Sequence, residues 1–336
     1  MADVAHEAGV SVASVSNFLN KQPYMSEAMA ARIAEAIDRL GYKVNSSARN
    51  LRSGRTRLLK LVIPDLRQVY FSELAEDILA EARQHGYGVI VESTTNNRAR
   101  ELESIASMGT HSADGLILSP LMMTVDDIAA LDGDYPLVLL GERLFGVNAP
   151  HVVIRNREGA AAATYHLLDA GCRRIAVVGA VPHPEHDFSS GSIRTHGYRE
   201  ALAARGIPCD DSLLIETQGW GAPTVSVAVD TMLESGLQFD AVFALNDLLA
   251  WGVLRELRER GVACADVRVI GFDDVEESAY MVPSLSTVNP GREAIARLAV
   301  ESIIQQVESG SRAPAQTIEA PYSLSLRESS PALACA

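Results

Sequence analysis

At 336 residues the chain is too long for one small domain and long enough to bury more than one core. Its hydrophobic content of 47% is that of an ordinary globular protein, and a net charge of -14 excludes a protein that coats nucleic acid over its whole surface. The charge is uneven: the first 60 residues hold nine Lys or Arg against five Asp or Glu, net +4, which leaves -18 for the rest, so phosphates are directed to the head alone.

The first helix is expected over Ala2 to Ala8, with Val4, Ala5 and Ala8 on one face and Gly9 supplying the left-handed turn that ends it. Val10 plugs the turn. Ser11 is placed to cap a second helix, Val12 to Leu19, whose Val15, Phe18 and Leu19 face inward. Its other face offers Val12, Ala13, Ser14, Ser16 and Asn17, short side chains that let a helix lie close in a major groove. On spacing alone a helix-turn-helix and a plain helical hairpin fit equally well. The residues that follow favour the first: Ser26 caps a third helix that runs to Leu40 before Gly41, and a stretch from Val44 to Arg57 is rich in Arg and poor in core residues.

The segments AGVSVASVSNFLN, PYMSE and LGYKVNSSARNLRSGRT together resemble the lac-repressor (LacI/GalR) family of bacterial transcription regulators. That resemblance implies DNA contacts from Ser11, Val12, Ala13, Ser14, Ser16, Asn17, Asn20 and Tyr24 of the head, and from Asn45, Ser47, Ala48, Leu51 and Arg52 of a hinge. Val12 and Ala13 match positions that touch base edges. Asn17 matches a position often occupied by Arg, and since Asn pairs with adenine where Arg prefers guanine, a departure from the commonest half-site is expected. Leu51 matches the wedge pushed into the minor groove at the operator centre; a core leucine of a linker helix is the competing reading. Where the family usually has a Thr cap before helix one, this chain reads Met1-Ala2-Asp3, so Asp3 or the terminal amine is expected at the helix start, unless this start is trimmed.

From Leu58 onward, buried parallel strands are expected at Leu59 to Ile63, Gly88 to Glu92, Gly115 to Leu118, Leu137 to Leu140, Ile175 to Val178, Ala241 to Ala244 and Val267 to Phe272, with a further one at Leu213 to Glu216. Helices at Ser72 to Gln84, Glu158 to Ala170, Tyr198 to Arg205 and Asp247 to Arg260 each stop at a Gly. This alternation predicts an α/β fold with enough strands for two doubly wound parallel sheets. No GxGxxG follows the first strand and no P-loop occurs, which disfavours those nucleotide folds; no cofactor is expected.

The resemblance implies a two-lobed periplasmic-binding-protein-like core behind a small all-α head. Its expected divisions are a DNA-binding domain at 1–44, a hinge helix and linker at 45–57, and an effector-binding core at 58–327. Lobe one takes 58–157 and 289–320, lobe two 158–288 and 321–327, and 328–336 form a tail. The chain then crosses between lobes near Asn156, Asn289 and Ala320, as a hinge requires. Effector candidates stand at strand ends. Asp65, Tyr70 and Phe71 match the family's first ligand loop, and Arg194 matches an Arg that commonly contacts effector, ahead of a helix starting near His196. Trp220 offers an indole face for a sugar ring, and Asn246 with Asp273 suits paired hydroxyls. Structural roles compete: Phe71 in the core, Asp247 and Asp274 as caps, Arg194 in an inter-lobe salt bridge. Gly141 to Arg143 and Arg155 stand where the family often has Asp, so a carboxylate contact is expected to be missing and an acidic or phosphorylated effector becomes an option.

His183 and His186 in the PHPEHD loop lack a third ligand at fixed spacing, so no metal site is expected, and no nucleophile, base and orienting group form a motif, so no enzyme is expected. Cys172, Cys209, Cys264 and Cys335 are far apart and suit a reducing compartment. There is no leader-like apolar run and no stretch of the roughly 18 apolar residues that a membrane helix needs, so a cytoplasmic protein without membrane contact is expected. The tail after Arg327 has no apolar heptads, which points to a homodimer rather than a zippered tetramer. The reading is a ligand-responsive repressor that binds a pseudo-palindromic operator and senses a small molecule. A sugar is favoured, with a nucleoside or phosphorylated sugar also open. The alternatives are a solute-binding protein without DNA function and a sugar- or nucleoside-modifying enzyme on a similar core.

Overall fold

The computed structural model describes residues 1–19, 25–42, 55–110, 112–144, 146–182, 189–234 and 236–332. The chain divides into two compact units, Met1–Thr56 and Arg57–Ala336.

The first unit holds α1 (Ala2–Ala8), α2 (Val12–Leu19) and α3 (Glu27–Arg39), which meet on the fully buried side chains of Val4, Val15 and Ile33. Gly9 ends α1 at φ 61, a left-handed conformation that a β-carbon resists, and its amide closes on the last turn. Met1 occupies the cap position of α1 without a side-chain bond, and Asp3 lies in the first turn, where its charge suits the helix dipole. Ser11 accepts from the Ser14 amide at 3.1 Å, and Ser26 from the Met29 amide at 3.4 Å, so both hydroxyls satisfy donors that the first helical turn leaves open. The hinge expected at 45–57 falls mostly outside the described residues.

The second unit contains two six-stranded sheets. Lobe one is built from β1 (Leu58–Ile63), α4 (Val69–Gln84), β2 (Gly88–Ser93), α5 (Arg98–Ala106), β3 (Gly115–Leu118), β4 (Leu137–Leu140) and β5 (Pro150–Val153). Lobe two is built from α6 (Asn156–Asp169), β6 (Ile175–Val178), α7 (Ser190–Ala204), β7 (Leu214–Ile215), α8 (Ala222–Glu234), β8 (Ala241–Ala244), α9 (Asp247–Glu259), β9 (Arg268–Phe272) and β10 (Ser286–Asn289). Then α10 (Arg292–Ser309) and β11 (Gln316–Glu319) return to the first sheet, and β12 (Ser323–Ser325) joins the second. Strand orders are β11-β5-β4-β3-β1-β2 and β12-β10-β9-β8-β6-β7, with every pairing parallel except β10 with β12.

Period-two side-chain alternation explains why both faces of each sheet are covered. Leu59, Leu61 and Ile63 of β1 pack under α4 and α10, whereas Val62 turns to the opposite core with Ile105, Leu116 and Leu118. Ile175 and Val177 of β6 enter one core of lobe two, Ala176 and Val178 the other. Lys60 is the exception within this apolar strand. It is buried, and its ammonium is satisfied by Glu92 at 2.5 Å, the Ser107 hydroxyl at 2.7 Å and the Ser104 carbonyl at 3.0 Å.

Two expected helix starts are corrected. Helix α4 starts at Val69, not Ser72, because the Ser72 hydroxyl donates back to the Val69 carbonyl at 2.9 Å inside the helix instead of capping it. Helix α7 starts at Ser190, before both His196 and Tyr198, with Ser189 capping the Ser192 amide; its two glycines resemble a loop in sequence but serve packing. Within the expected tail, Ser329 and Ser330 are fully buried, Ser329 donates to the Val269 carbonyl at 2.7 Å, and His166 bonds the Ser330 hydroxyl at 2.8 Å. Strands β10, β11 and β12 are short and rich in Ser, Thr and Gln, so no apolar run marks them.

Gly197 shows what that packing demands. A β-carbon there would lie 2.2 Å from the Arg157 carbonyl oxygen and 3.0 Å from the Ala160 β-carbon, both on α6. Backbone cannot swing aside as a side chain does. Gly197→Ala should therefore destabilise the core by about 1–3 kcal/mol despite alanine's higher helix propensity. Urea denaturation checks this, and an unchanged or raised midpoint would show that the two helices can separate freely.

Candidate effector cleft and DNA-reading head

Both sheets share the order in which the first strand lies between the second and third, so each has a crevice at the carboxyl ends of its strands, where the winding reverses. The two crevices open into one cavity of about 190 Å³, suited to a small molecule and not to a macromolecule. Lobe one contributes Ser119 to Leu121 after β3, Gly141 to Arg143 after β4, and Tyr70, Phe71 and Leu74 of α4. Lobe two contributes Ser189, Ser190, Arg194, Trp220, Asn246 and Asp273.

The charged floor is made by Arg194 and Asp273. Arg194 sits one turn into α7 and is only 4% exposed. Its Nε donates to Asn156 Oδ1 at 2.7 Å and its Nη1 to the Leu245 carbonyl, while its guanidinium carbon lies 3.6 Å from the Phe272 ring centre and 5.8 Å from that of Trp220. Its Nη2 is 3.7 Å from Asp273 Oδ1, beyond hydrogen-bond range, so the two groups do not saturate each other. Burial lowers the pKa of the guanidinium. Burial likewise pushes the Asp273 carboxyl up to about 8, against the pull of Arg194 and with a further push from Asp247. Asp273 also has a φ of 127, unusual for a residue with a β-carbon.

Six of the seven expected effector residues, Tyr70, Phe71, Arg194, Trp220, Asn246 and Asp273, line this cavity. Asp65 does not. It is buried two residues after β1, and its carboxylate folds back on its own loop to accept from the Arg67 amide at 3.0 Å and from that guanidinium at 2.8 Å, which holds its pKa down. Asn246 has two tasks, since its Oδ1 caps α9 at the Leu249 amide while its Nδ2 donates to the Trp220 carbonyl. Asp247 is not a cap: fully buried, it accepts from Thr287 and Ser278 hydroxyls and the Val275 amide, and burial raises its pKa to about 6. Asp274 accepts from Arg327, Asn289 and Ser325 instead of capping a helix. The salt bridge of Arg194 is within lobe two, not between lobes.

Lobe one does place a carboxylate at the cavity, within the Gly141 to Arg143 segment. It is Glu142, with Oε1 accepting from the Ile154 amide at 2.9 Å and burial raising its pKa. Arg155 is absent from the lining: it pairs with Glu158 at 3.2 Å and Glu319 at 3.5 Å and covers the Tyr322 ring. Arg143 does line the cavity. Glu142 was accessible to sequence reasoning by the rule applied to Asp65, a polar residue directly after a buried strand; Asn156, hidden at a helix start, had no such signal.

In the head, Ser11 just before α2 and Val12, Ala13 and Asn17 on it are exposed, Ser14 and Ser16 half-buried, and Val12 presents 41% of its surface to solvent. Asn20, Tyr24, Asn45, Ser47, Ala48, Leu51 and Arg52 lie outside the described residues, as do His183, His186 and Cys335.

Residues 1–45 match the model of bacterial regulatory proteins, lacI family, and residues 164–330 that of a periplasmic binding protein-like domain. The HTH-type transcriptional regulator AscG of Escherichia coli (strain K12) is 31% identical over 324 residues, 94% of each chain. This chain belongs to the lacI family. As a lacI-family protein it is a DNA-binding transcription regulator with a helix-turn-helix head and a two-lobed periplasmic-binding-protein-like core. A regulator of the same family from Sanguibacter keddieii DSM 10542 superposes with a TM-score of 0.75 at 39% identity, covering 82% of this chain and 99% of that one. The transcriptional regulator CelR in complex with cellobiose superposes with a TM-score of 0.70 at 26% identity over 97% and 98%. These relatives are regulators, not enzymes. Among the described residues, no helix of this lacI-family chain is long and apolar enough to cross a membrane.

The Asp273 shift gives the regulator a pH signature. Its pKa is about 8 when folded and about 4 when unfolded, so between these values the folded state holds a proton that the unfolded state lacks, and stability falls as pH rises through the window. Asp273→Asn removes that slope. The melting temperature of the variant should gain on wild type as pH rises from about 5 to about 8; a difference independent of pH would refute the shift.

Proposed function

We propose that two copies of this regulator grip the two halves of a pseudo-palindromic operator, and that a small molecule, most favourably a sugar, binds the cleft and changes that grip. Two-fold symmetry of the protein then matches two-fold symmetry of the site. The observation that carries the effector reading is the convergence of Trp220, Asn246, Arg194 and Asp273 from lobe two with Tyr70, Phe71 and Glu142 from lobe one on one cavity. An indole face stacks on the apolar face of a pyranose, while carboxylates, an amide and a guanidinium take its hydroxyls. A phosphorylated sugar fits less well, because two of the three guanidinium nitrogens of Arg194 are already engaged and Arg155 faces away, although Arg143 remains at the wall. CelR holding cellobiose on a similar fold supports the sugar class.

Contacts from Val12, Ala13 and Asn17 in the major groove would read the operator, with Leu51 of the hinge as its minor-groove wedge. The protein acts in the cytoplasm, without catalysis or cofactor. A ligand shifts the grip only by its differential affinity for two states of the core, typically about 1–3 kcal/mol.

Fluorescence anisotropy with operator-like palindromes and scrambled DNA, with and without a panel of sugars and nucleosides, tests both halves. Tight palindrome binding altered by one compound is the expected result; sugar binding without palindrome preference would favour a solute-binding role. In the same assay Asn17→Ala should cost about 1–3 kcal/mol on the preferred palindrome and relax selection at a single base pair, where an equal loss on scrambled DNA would remove Asn17 from base reading.

A further inference from the structure

Three strands of chain pass between the lobes, and each is tied by a side chain to the charged floor of the cleft or to the residue next to it. The first crossing begins at Asn156, which accepts from Arg194 at 2.7 Å. The second and third meet at Asp274, whose carboxylate accepts from Asn289 Nδ2 at 2.9 Å, Ser325 Oγ at 2.7 Å and Arg327 Nη2 at 2.6 Å. Asn289 passes this on, for its Oδ1 accepts from the Gly291 amide at 2.7 Å, where α10 of lobe one begins. At Gly291, φ 75, a β-carbon would lie 2.1 Å from the Pro321 carbonyl oxygen, so the two crossing strands touch backbone to backbone.

Asp274 follows Asp273 directly, and both hold positive φ, 51 and 127, conformations that persist only where the surroundings impose them. Two residues further on, the Glu276 amide donates to Glu73 Oε1 of α4, in the opposite lobe, at 2.8 Å. The stretch from Asp273 to Glu276 is thus anchored to the cleft at one end, to the hinge strands next to it, and to the facing lobe at the other end.

We propose that Asp274 couples the cleft wall to lobe movement, a positioning residue that acts through Asn289 and Ser325. This rests on the cleft being the effector site. A carboxylate with three donors cannot follow a rotation of Asp273 without dragging both crossing strands, so a shift of the cleft wall becomes a change in the angle between lobes.

Hydrogen-exchange mass spectrometry on the full-length, ligand-free protein tests this with Asp274→Asn, Ser325→Ala and the double variant. Each single change should speed exchange about tenfold in peptides covering 286–292 and 320–326, and also at the Glu276 amide, which local loosening of the paired strands would not reach. The double variant should exchange no faster than Asp274→Asn alone, because one set of bonds is removed twice. Peptides of β8 should keep the wild-type rate. Wild-type exchange at Glu276 in both single variants, or multiplying effects in the double, would overturn the coupling. Should Asp274→Asn also loosen β8, Ser325→Ala decides, since it removes one hydroxyl only. A failure of the effector reading is a separate result: no compound of the sugar and nucleoside panel shifts the wild-type melting temperature, while the difference between wild type and variants persists.

Discussion

The core of this regulator depends on keeping an arginine charged where water is largely excluded. Removing a guanidinium from water costs several kcal/mol unless its donors are satisfied, and Arg194 meets that demand with an amide, a carbonyl, an aromatic face and a carboxylate just out of bonding reach. These four partners come from three elements: the start of α6, the end of β8, and the last residue of β9 with the one after it. The arginine therefore fixes the ends of three elements relative to α7, and those ends are the floor of the cleft.

The incompleteness of the pairing with Asp273 is what would make the proposed effector site receptive. A carboxylate at hydrogen-bond distance would neutralise the guanidinium and leave little for a ligand. At 3.7 Å, with burial holding the Asp273 carboxyl up to about 8, the pair keeps unused hydrogen-bonding capacity facing the cavity. Hydroxyl groups, which donate and accept, complement such a pair without bringing net charge into a confined space. Glu142 and Asn156 extend the same character to the lobe-one side. The strained backbone at Asp273 and Asp274 belongs to the same design, because it aims one carboxylate into the cleft and the next at the hinge.

The departures from sequence reasoning share one cause, competition between local and distant partners for a polar side chain. Ser72, Asp247 and Asp274 all carry the chemistry of a helix cap, and all spend it elsewhere: on a carbonyl inside the helix, on two hydroxyls across the sheet, and on three donors at the hinge. Asp65 looks like a ligand residue by its place after β1, but Arg67, two residues on, reaches it first. The tail offers no apolar stripe, and still it is held, because Ser329 and Ser330 complete hydrogen bonds to the edge of lobe two. None of these choices leaves a periodic trace.

Sequence by itself determined the boundaries of α1 and α2 and the cap of α3, the central strands of both sheets, the two-lobed class and most of the cleft residues. The helix and strand features rest on short-range rules, hydroxyl caps and glycine stops at helix ends and apolar runs long enough to be buried strands, whereas the lobe division and most cleft residues came with the family resemblance. Only the tertiary structure decided that Glu142 faces the cleft while Arg155 turns away, that Gly197 is needed for two helices to touch, and that Asp274 ties the crossing strands together. The physical reason is that a charged or small residue is assigned by what lies within a few ångströms of it. Across this fold those neighbours are often more than a hundred residues away along the chain, as Arg312 is from the Leu131 carbonyl it bonds.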